Sequence, residues 1–453
     1  MFRQPRVLWL ALALLALLVM VTACGGQPQT AAPSQAPTQA PAAKPTDAPK
    51  PAPTTAPTQA PAAKATEAPK ATEAPKATEA PKTTGAGAAS PGVTDSEIVI
   101  GSWGPQDGPA GAYGVIDRTL AAYFKKVNDE GGINGRKVRF LYENDSYAPA
   151  KTVAAVKKLV EEDKVFALVG GLGTANNLAV TEYLVQNNVP HLAPNTGSTS
   201  VVKPLKKGVF GLQLDYTTEA TLLTQYALDT LKSQKIAVFY QNDQFGKEGL
   251  DGINAELKKR NLPDATLVSY EPTDTNFSAQ ALKLQTTGAD TVIIYAVPKP
   301  GASIIAEMTK IGYKPKMLSS AVINDPSLFQ LAGPGAEGLI IAAWLPDYKD
   351  TSNPKIAEYQ DFMKKYAANE QIGSFSLVGY TQGQLATEAL KRAGKDLTRD
   401  GFIKALESFQ DWKGSVAPSL TCSATEHQGV KAAYFQQAKN NVFVNITDFI
   451  TMK

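Results

Sequence analysis

Short apolar runs alternate with amphipathic segments from residue 93 to the end of the chain. Between residues 114 and 130, Ile116, Leu120, Phe124 and Val127 recur at helical spacing and form one apolar stripe. Short apolar strands that alternate with such helices are typical of parallel sheets covered on both faces, so the pattern predicts an α/β fold. About 360 residues are too many for one such sheet, and we therefore expect two lobes. The predicted strands span residues 97–103, 138–143, 165–170, 191–193, 235–240, 267–270, 291–297, 316–319 and 338–343.

The first 24 residues have the pattern of an export signal. Arg3 and Arg6 precede an apolar run from residue 7 to residue 21, which is short for a membrane-spanning helix and ends in the sequence VTACG. That ending resembles a bacterial lipobox, in which the cysteine becomes the lipidated first residue. We therefore predict a lipoprotein signal peptide over 1–24 and a lipid anchor on Cys24. An uncleaved N-terminal anchor is the alternative, and both place the protein outside the cytoplasmic membrane.

Residues 25–92 predict a disordered tether. They consist mostly of Ala, Pro, Thr, Lys, Gln and Glu, with the repeat ATEAPK starting at Ala65, Ala71 and Ala77. A segment without large apolar side chains cannot form a core, and its prolines favour extended, solvated chain. The first 92 residues also hold eight basic and four acidic groups. Removing these from the totals of 45 and 42 leaves 37 basic and 38 acidic residues in the folded part. This balance of charge gives no support for nucleic-acid binding.

Two of the predicted strands end in small hydroxyl and amide residues. The strand at 165–170 runs into Gly171, Gly173 and Thr174, and the strand at 191–193 runs into Asn195 and Thr196. Turn chemistry alone would explain such residues. However, ligands of open α/β sheets bind beyond the carboxyl ends of the strands, where these residues would lie.

Several longer segments resemble the branched-chain amino-acid binding proteins that serve ABC importers, which have the type I periplasmic-binding-protein fold. They are EIVIGSWGPQDGPAGAYG at residue 97, GGINGR at residue 131, NNVPHLAPNTGS at residue 187 and VFYQNDQFGKEGLDG at residue 238. The resemblance covers nearly all of residues 97–450, and it is much more specific for fold and general role than for the ligand.

The resemblance implies two Rossmann-like lobes with parallel sheets, joined by a three-strand hinge. Lobe one is then about 97–215 plus 344–429, and lobe two about 216–343 plus 430–453, within a ligand-binding domain over 93–453. It implies a substrate-binding protein that closes around a small molecule and delivers it to an ABC permease with ATPase subunits. We expect a monomer. A ligand-sensing receptor domain of the same fold is the alternative.

From lobe one, the resemblance implies an aromatic wall at Tyr113 and a ligand carboxylate held near Gly173 and Thr174. Thr174 also has the chemistry of a helix N-cap, and both roles are compatible. The segment from Asn195 through Thr196 to Gly197 departs from the branched-chain pattern, but its backbone N–H groups would still bind an anion or a carbonyl oxygen.

From lobe two, the resemblance implies that Tyr216 and Phe245 close over the ligand, with a loop at Val297 and Lys299 beside them. Lys299 would either add a positive charge or be solvated at the rim. The glutamate that pairs with the ligand ammonium in the family aligns with Ala321, and Asp325 nearby is a possible substitute. We therefore expect a ligand without a free α-ammonium, such as an aromatic or aliphatic carboxylate or an amide, and an amino acid is the alternative.

The sequence offers no catalytic constellation. Its two histidines, His191 and His427, stand outside any metalloprotease motif, and His191 falls inside an apolar strand, which favours a core role. With Cys24 lipidated, Cys422 has no partner for a disulfide, and we expect it to be half-buried and without function. We expect a binding protein with no cofactor, no metal and no enzymatic activity.

Overall fold

The structure, a computed structural model, describes residues 90–451. The predicted signal peptide, Cys24 and almost the whole predicted tether lie outside these residues. The end of the predicted tether lies inside the fold, because the carbonyl of Gly92 accepts a hydrogen bond from the N–H of Val99 at 2.8 Å. The carbonyl of Ser90 likewise accepts from the N–H of Val93 at 3.0 Å, so the folded part begins before residue 93.

Five parallel strands form the sheet of lobe one. Their order across the sheet is β2-β1-β3-β4-β5. The strands are β1 (Glu97–Trp103), β2 (Lys137–Glu143), β3 (Ala167–Val169), β4 (His191–Leu192) and β5 (Val209–Phe210). β5 was not among the predicted strands.

The sheet of lobe two is mixed. Its order is β12-β11-β10-β9-β8-β6-β7, with β13 paired to β11. The strands up to β10 run parallel, whereas β11 is antiparallel to β10, β12 and β13. These strands are β6 (Ile236–Gln241), β7 (Thr266–Tyr270), β8 (Thr291–Tyr295), β9 (Lys316–Ser319), β10 (Ile340–Ala343), β11 (Ala432–Lys439), β12 (Val442–Asn445) and β13 (Ile450–Thr451).

Helices cover the faces of both sheets, as expected for an α/β fold. They are α1 (Gly114–Asp129), α2 (Pro149–Lys157), α3 (Thr174–Gln186), α4 (Thr199–Val202), α5 (Tyr216–Asp229), α6 (Gln244–Lys259), α7 (Ser278–Thr286), α8 (Pro298–Lys310), α9 (Ser327–Ala332), α10 (Pro354–Tyr366), α11 (Ser374–Ala393) and α12 (Arg399–Glu407). Short 3₁₀ segments at Gly108–Tyr113, Ala321–Ile323 and Gly333–Ala336 and a π segment at Lys158–Glu162 complete them.

The hydrophobic pattern explains the local structure. The stripe of α1 places Leu120 and Phe124 in the core, and all five residues of β8 are buried, as expected for a central strand covered on both faces. α5 and α6 begin where the side chains of Asp215 and Asp243 accept hydrogen bonds from backbone N–H groups of the first turn.

The chain passes between the lobes three times: after β5, after β10 and before β11. α10, α11 and α12 follow β10 but pack on the side of lobe one, where α1 contacts both α10 and α11. The first and third crossings lie side by side, because the N–H of Val430 donates to the carbonyl of Leu212 at 2.9 Å. This α/β architecture of two lobes confirms the predicted fold class.

Within residues 90–451, no helix is both long enough and apolar enough to cross a membrane.

Candidate functional site

A cavity lies between the two lobes, and about 80 Å³ of it can hold the centre of a water molecule. Most of its wall is aromatic or aliphatic, and no lysine, arginine or histidine is among the described residues that line it. The lining residues contributed by lobe one and the hinge include Tyr113, Ile116, Tyr147, Leu172, Gly173, Thr174, Asn195, Leu214, Trp344 and Phe375, and those of lobe two include Tyr216, Glu219, Phe245, Val297, Ala321, Val322 and Asn324.

The end of β3 requires glycine. Gly171 and Gly173 have φ values of 87° and 101°, which L side chains rarely adopt. A Cβ added to Gly171 would lie 2.4 Å from the ring of Trp103, and one added to Gly173 would lie 2.8 Å from the ring of Tyr147. The chain therefore approaches both rings with bare backbone, and the start of α3 reaches the cavity without side chains in the way.

Thr174 lines the cavity but is not the N-cap that the sequence predicted. The cap position belongs to Gly173, and Thr174 is the first residue of α3. Its Oγ1 lies 2.8 Å from Oγ1 of Thr196, so the two hydroxyls form a hydrogen-bonded pair. The loop is instead braced by Asn177, whose Nδ2 donates to the carbonyls of Gly171 and Gly173 at 2.9 and 2.7 Å. The hydroxyl of Thr174 is therefore not used as a helix cap.

Asn195 lines the cavity, whereas Thr196 and Gly197 lie directly behind its wall. Oδ1 of Asn195 accepts from Nε2 of Gln382 at 2.8 Å, which fixes the side chain. The carbonyl of Gly197 accepts from the N–H of Tyr216 at 2.9 Å. A Cβ on Gly197 would lie 2.6 Å from the carbonyl oxygen of Leu214 and 2.9 Å from the ring of Tyr216, so this glycine allows the start of α5 to approach the loop after β4.

Tyr113 joins the lobes across the cavity. Its hydroxyl donates to the carbonyl of Val322 in lobe two, and its ring packs against Phe375 with a centroid separation of 4.3 Å. Burial raises the pKa of Tyr113 well above its ordinary value, so the hydroxyl remains a hydrogen-bond donor.

Two aromatic rings of lobe two form the opposite wall. Tyr216 is the first residue of α5 and Phe245 lies in the first turn of α6, with their ring centroids 4.9 Å apart. Tyr295, at the end of β8, lies behind both, with centroids 6.3 and 5.6 Å away. The wall is rigid because aromatic side chains pack on it from behind.

Glu219 is a carboxyl group in the cavity that the sequence reasoning missed. Its Oε1 accepts the N–H of Ala321 at 2.8 Å, and its Oε2 accepts the hydroxyl of Tyr295 at 3.2 Å. Burial raises its pKa to about 8, and the two hydrogen bonds only partly oppose that shift. The alignment had placed no acidic residue at Ala321, but α5 supplies a carboxyl group beside it. The available signal was its spacing of three residues from Tyr216, which puts both on one helix face.

The other two charges proposed for this site lie elsewhere. Val297 lines the cavity, but Lys299 is exposed and lines a neighbouring cavity instead. Asp325 is buried outside the lining, where its Oδ1 accepts the N–H of Ser327 at 3.0 Å. Asn324 does line the cavity, and its Oδ1 has no hydrogen-bond partner among the described residues.

The histidines and Cys422 have structural positions. His191 is buried in β4 with Nε2 2.7 Å from the carbonyl oxygen of Gly170, and burial lowers its pKa to about 4. His427 pairs its Nδ1 with the carbonyl of Val209 at 2.8 Å. Cys422 is 3% exposed and therefore more buried than predicted, which raises the pKa of its thiol to about 12. Within residues 90–451, no group of three or more His, Cys, Asp or Glu side chains is arranged to hold a metal ion.

Comparison with known protein families gives one match that spans most of the chain. The family described as periplasmic binding protein matches residues 97–442. Among curated relatives, the Leu/Ile/Val-binding protein homolog 3 of Brucella melitensis is 25% identical over 332 residues, covering 73% of this chain and 88% of the relative. The amino acid binding protein of Pseudomonas aeruginosa is 23% identical over 241 residues, covering 53% of this chain and 64% of the relative.

Solved structures share the fold. A branched-chain amino acid ABC transporter protein from Thermus thermophilus with bound valine superposes with a TM-score of 0.72 at 20% identity, covering 79% of this chain and 97% of that one. A fatty acid ABC transporter substrate-binding protein from Thermomonospora curvata superposes with a TM-score of 0.73 at 22% identity, covering 80% of this chain and 95% of that one. At these identities the superpositions establish the fold alone.

Proposed function

The chain belongs to the periplasmic binding protein family, and from that premise we propose that it is the extracytoplasmic substrate-binding protein of an ABC importer, which captures a small apolar amino acid or a related carboxylate or amide. Its relatives are substrate-binding proteins, so its task is to bind a molecule and not to transform one. The relatives named for leucine, isoleucine and valine support the choice of an amino acid.

The observation that carries the proposal is the combination of Glu219 and an apolar wall in one cavity between the lobes. A protonated amine needs a buried acidic partner, because an unpaired charge in such a site costs several kcal/mol. Glu219 is the acidic side chain among the described lining residues, and the unpartnered Oδ1 of Asn324 offers a second acceptor for an ammonium N–H. The sequence had favoured a ligand without an ammonium, and the position of Glu219 beside Ala321 reverses that preference.

The carboxylate of the ligand would bind at the start of α3. There Gly173 and Thr174 line the cavity at the N-terminus of α3, and the helix dipole favours negative charge. The rings of Tyr113, Tyr216 and Phe245 would enclose the apolar side chain. Because these groups come from both lobes, a bound ligand stabilises the closed arrangement by its contacts to each.

We propose further that Cys24 carries a lipid and that residues 25 to about 89 tether the binding domain to the membrane, from which it delivers the ligand to a permease. The sequence VTACG and the composition after it support this. Mass spectrometry of the protein extracted from membranes should find a diacylated Cys24 as the first residue. An intact Met1 or a free thiol at Cys24 would exclude the lipid anchor.

A thermal-shift screen tests the ligand proposal first. The purified protein would be heated with leucine, isoleucine, valine and phenylalanine, and with the deaminated acid and the amide of each. A ligand present at about a hundredfold excess over its dissociation constant should stabilise the protein by about 2.7 kcal/mol. Stabilisation by the amino acids and not by their deaminated acids is the expected result. Stabilisation by none of these compounds would contradict the proposal.

A further inference from the structure

A second cavity lies beside the ligand cavity and shares one wall with it. About 520 Å³ of it can hold the centre of a water molecule. Both lobes line it, and rings and prolines such as Tyr147, Pro149, Pro272, Phe277 and Pro300 share its lining with polar residues that include Thr273 and Asp274. Of the described residues that line either cavity, Tyr147 is the residue common to both.

Tyr147 is held in its place from three sides. Its backbone N–H donates to Oδ1 of Asp145 at 2.9 Å, its ring packs against the bare backbone of Gly173, and its hydroxyl accepts from Nε2 of Gln241 in lobe two at 3.1 Å. Asp145 is fixed in turn, because Oγ1 of Thr152 donates to its Oδ2 at 2.6 Å. The ring therefore bridges the two lobes at the boundary between the cavities.

The backbone at this point is in a costly conformation. Tyr147 has a φ of 62° and Ser146 a φ of 48°, in the left-handed region that residues other than glycine, asparagine and aspartate rarely adopt. Extended backbone at Tyr147 would turn the ring away from Gly173. The left-handed turn, braced by Asp145, keeps the ring between the cavities.

We propose that Tyr147 is a partition that sets the maximum length of the ligand, and that the second cavity is a subsite for the apolar tail of longer amino acids when this partition is removed. This inference rests on the proposed function, since it concerns the same ligand in the same cleft. A hydrocarbon tail suits the prolines and aromatic rings of the second cavity, while Thr273, Thr275 and Lys299 of its lining are exposed to solvent.

The test uses a series of straight-chain amino acids: alanine, norvaline, norleucine, 2-aminooctanoic acid and 2-aminodecanoic acid. Calorimetric titration of the wild-type protein should show affinity that rises with chain length and then drops sharply. Tyr147→Ala should move that drop to longer chains. The longest amino acid that this variant binds should bind to it about tenfold or more tighter than to the wild-type protein. Tyr147→Phe keeps the ring and should keep the wild-type cut-off, and Tyr142→Ala, at an exposed tyrosine of β2, should also leave the cut-off unchanged.

The outcomes separate this inference from the proposed function. If the wild-type protein binds amino acids and Tyr147→Ala has the same length cut-off, the partition is wrong and the proposed function stands. If no amino acid binds, the proposed function fails, and the partition is then tested with an apolar fluorescent dye, 1-anilinonaphthalene-8-sulfonate. Tyr147→Ala should bind this dye at least about tenfold tighter than wild type and Tyr142→Ala, and equal dye binding by all three would overturn the partition.

Discussion

The two lobes build their halves of the cleft from different materials. Lobe one presents the ends of two strands, where Gly173, Thr174 and Asn195 line the cavity and the hydroxyl of Thr174 pairs with that of Thr196. Lobe two presents long side chains, the rings of Tyr216 and Phe245 and the carboxyl of Glu219. The first half suits an anionic oxygen, and the second suits an ammonium group and an apolar body. A ligand that needs both halves binds only when the lobes close.

The largest effect is expected from the acidic group of lobe two. Glu219→Gln keeps the shape and removes the charge, so the affinity for leucine should fall by about 3 kcal/mol or more, because the ammonium loses its buried partner. The affinity for the deaminated acid should change little or improve. Titration calorimetry measures both, with Glu182→Gln on the exposed face of α3 as the control. Equal losses for leucine and its deaminated acid would exclude Glu219 as the ammonium partner.

The next effect tests lobe one. Thr174→Ala removes one hydroxyl from the start of α3 and should weaken binding of both leucine and its deaminated acid by about 1–3 kcal/mol, since both carry the carboxylate. Thr174→Ser retains the hydroxyl and should recover most of the loss. Unchanged affinity in Thr174→Ala, measured by the same titration, would mean that the oxygen of the ligand binds elsewhere.

A smaller effect is expected where the lobes hold each other without touching the ligand. Glu248 of α6 is buried and accepts hydrogen bonds from lobe one: from Oγ of Ser198 at 2.6 Å, the N–H of Thr199 at 2.8 Å and Oγ of Ser200 at 2.8 Å. In Glu248→Gln, the side-chain NH₂ group, a hydrogen-bond donor, would face one of these three donors in place of a carboxylate oxygen. The substitution should therefore destabilise the closed form by about 1–2 kcal/mol. Stopped-flow measurements should show the loss as faster ligand release. A release rate equal to that of wild type would show that this contact does not hold the cleft closed.

The smallest effect is expected at Lys299. Because this side chain is exposed and lies outside the ligand cavity, Lys299→Ala should change ligand affinity by less than about 0.5 kcal/mol. A larger loss of affinity, measured by calorimetry, would show that Lys299 contacts the ligand, as the sequence had suggested.

Features encoded by neighbouring residues were predictable from the sequence. The bounds of β1 and β9 agree with the prediction because each short run has a turn-forming residue at one end, Gly104 after β1 and Pro315 before β9. The assignment of Thr174 as a helix cap failed because the cap position has a φ of 101°, which selects Gly173.

Features that depend on distant contacts were not predictable from local pattern. Glu219 and Ala321 are 102 residues apart, and only the packing of α5 against the loop after β9 brings the carboxyl to that backbone N–H. The same is true of Tyr147, whose local sequence gives no indication that its hydroxyl meets Gln241 across the lobes. The contacts of Glu219 with Ala321 and of Tyr147 with Gln241 thus depend on tertiary packing, and the spacing of Glu219 from Tyr216 indicated only that both lie on one face of α5.

The raised pKa of Glu219 also affects stability. Its pKa is about 8 in the folded protein against an ordinary value of 4.5, so the unfolded chain binds fewer protons between these values. The contribution to folding stability is full below about pH 4.5 and is lost as the pH rises through 8. The ligand-free protein should therefore unfold at a lower temperature at pH 8 than at pH 5, and Glu219→Gln should reduce that difference.

The protons released on binding test the central claim most directly. At pH 7 the carboxyl of Glu219 in the empty cleft is mostly protonated, because burial raises its pKa to about 8. An ammonium ligand converts it to the carboxylate, so leucine should release nearly one proton per molecule bound. Calorimetry at pH 7 in buffers of different ionisation enthalpy measures this number. Release of nearly one proton with leucine, and of none with its deaminated acid or with leucine bound to Glu219→Gln, is the expected result. Leucine binding without proton release in the wild-type protein would contradict the account.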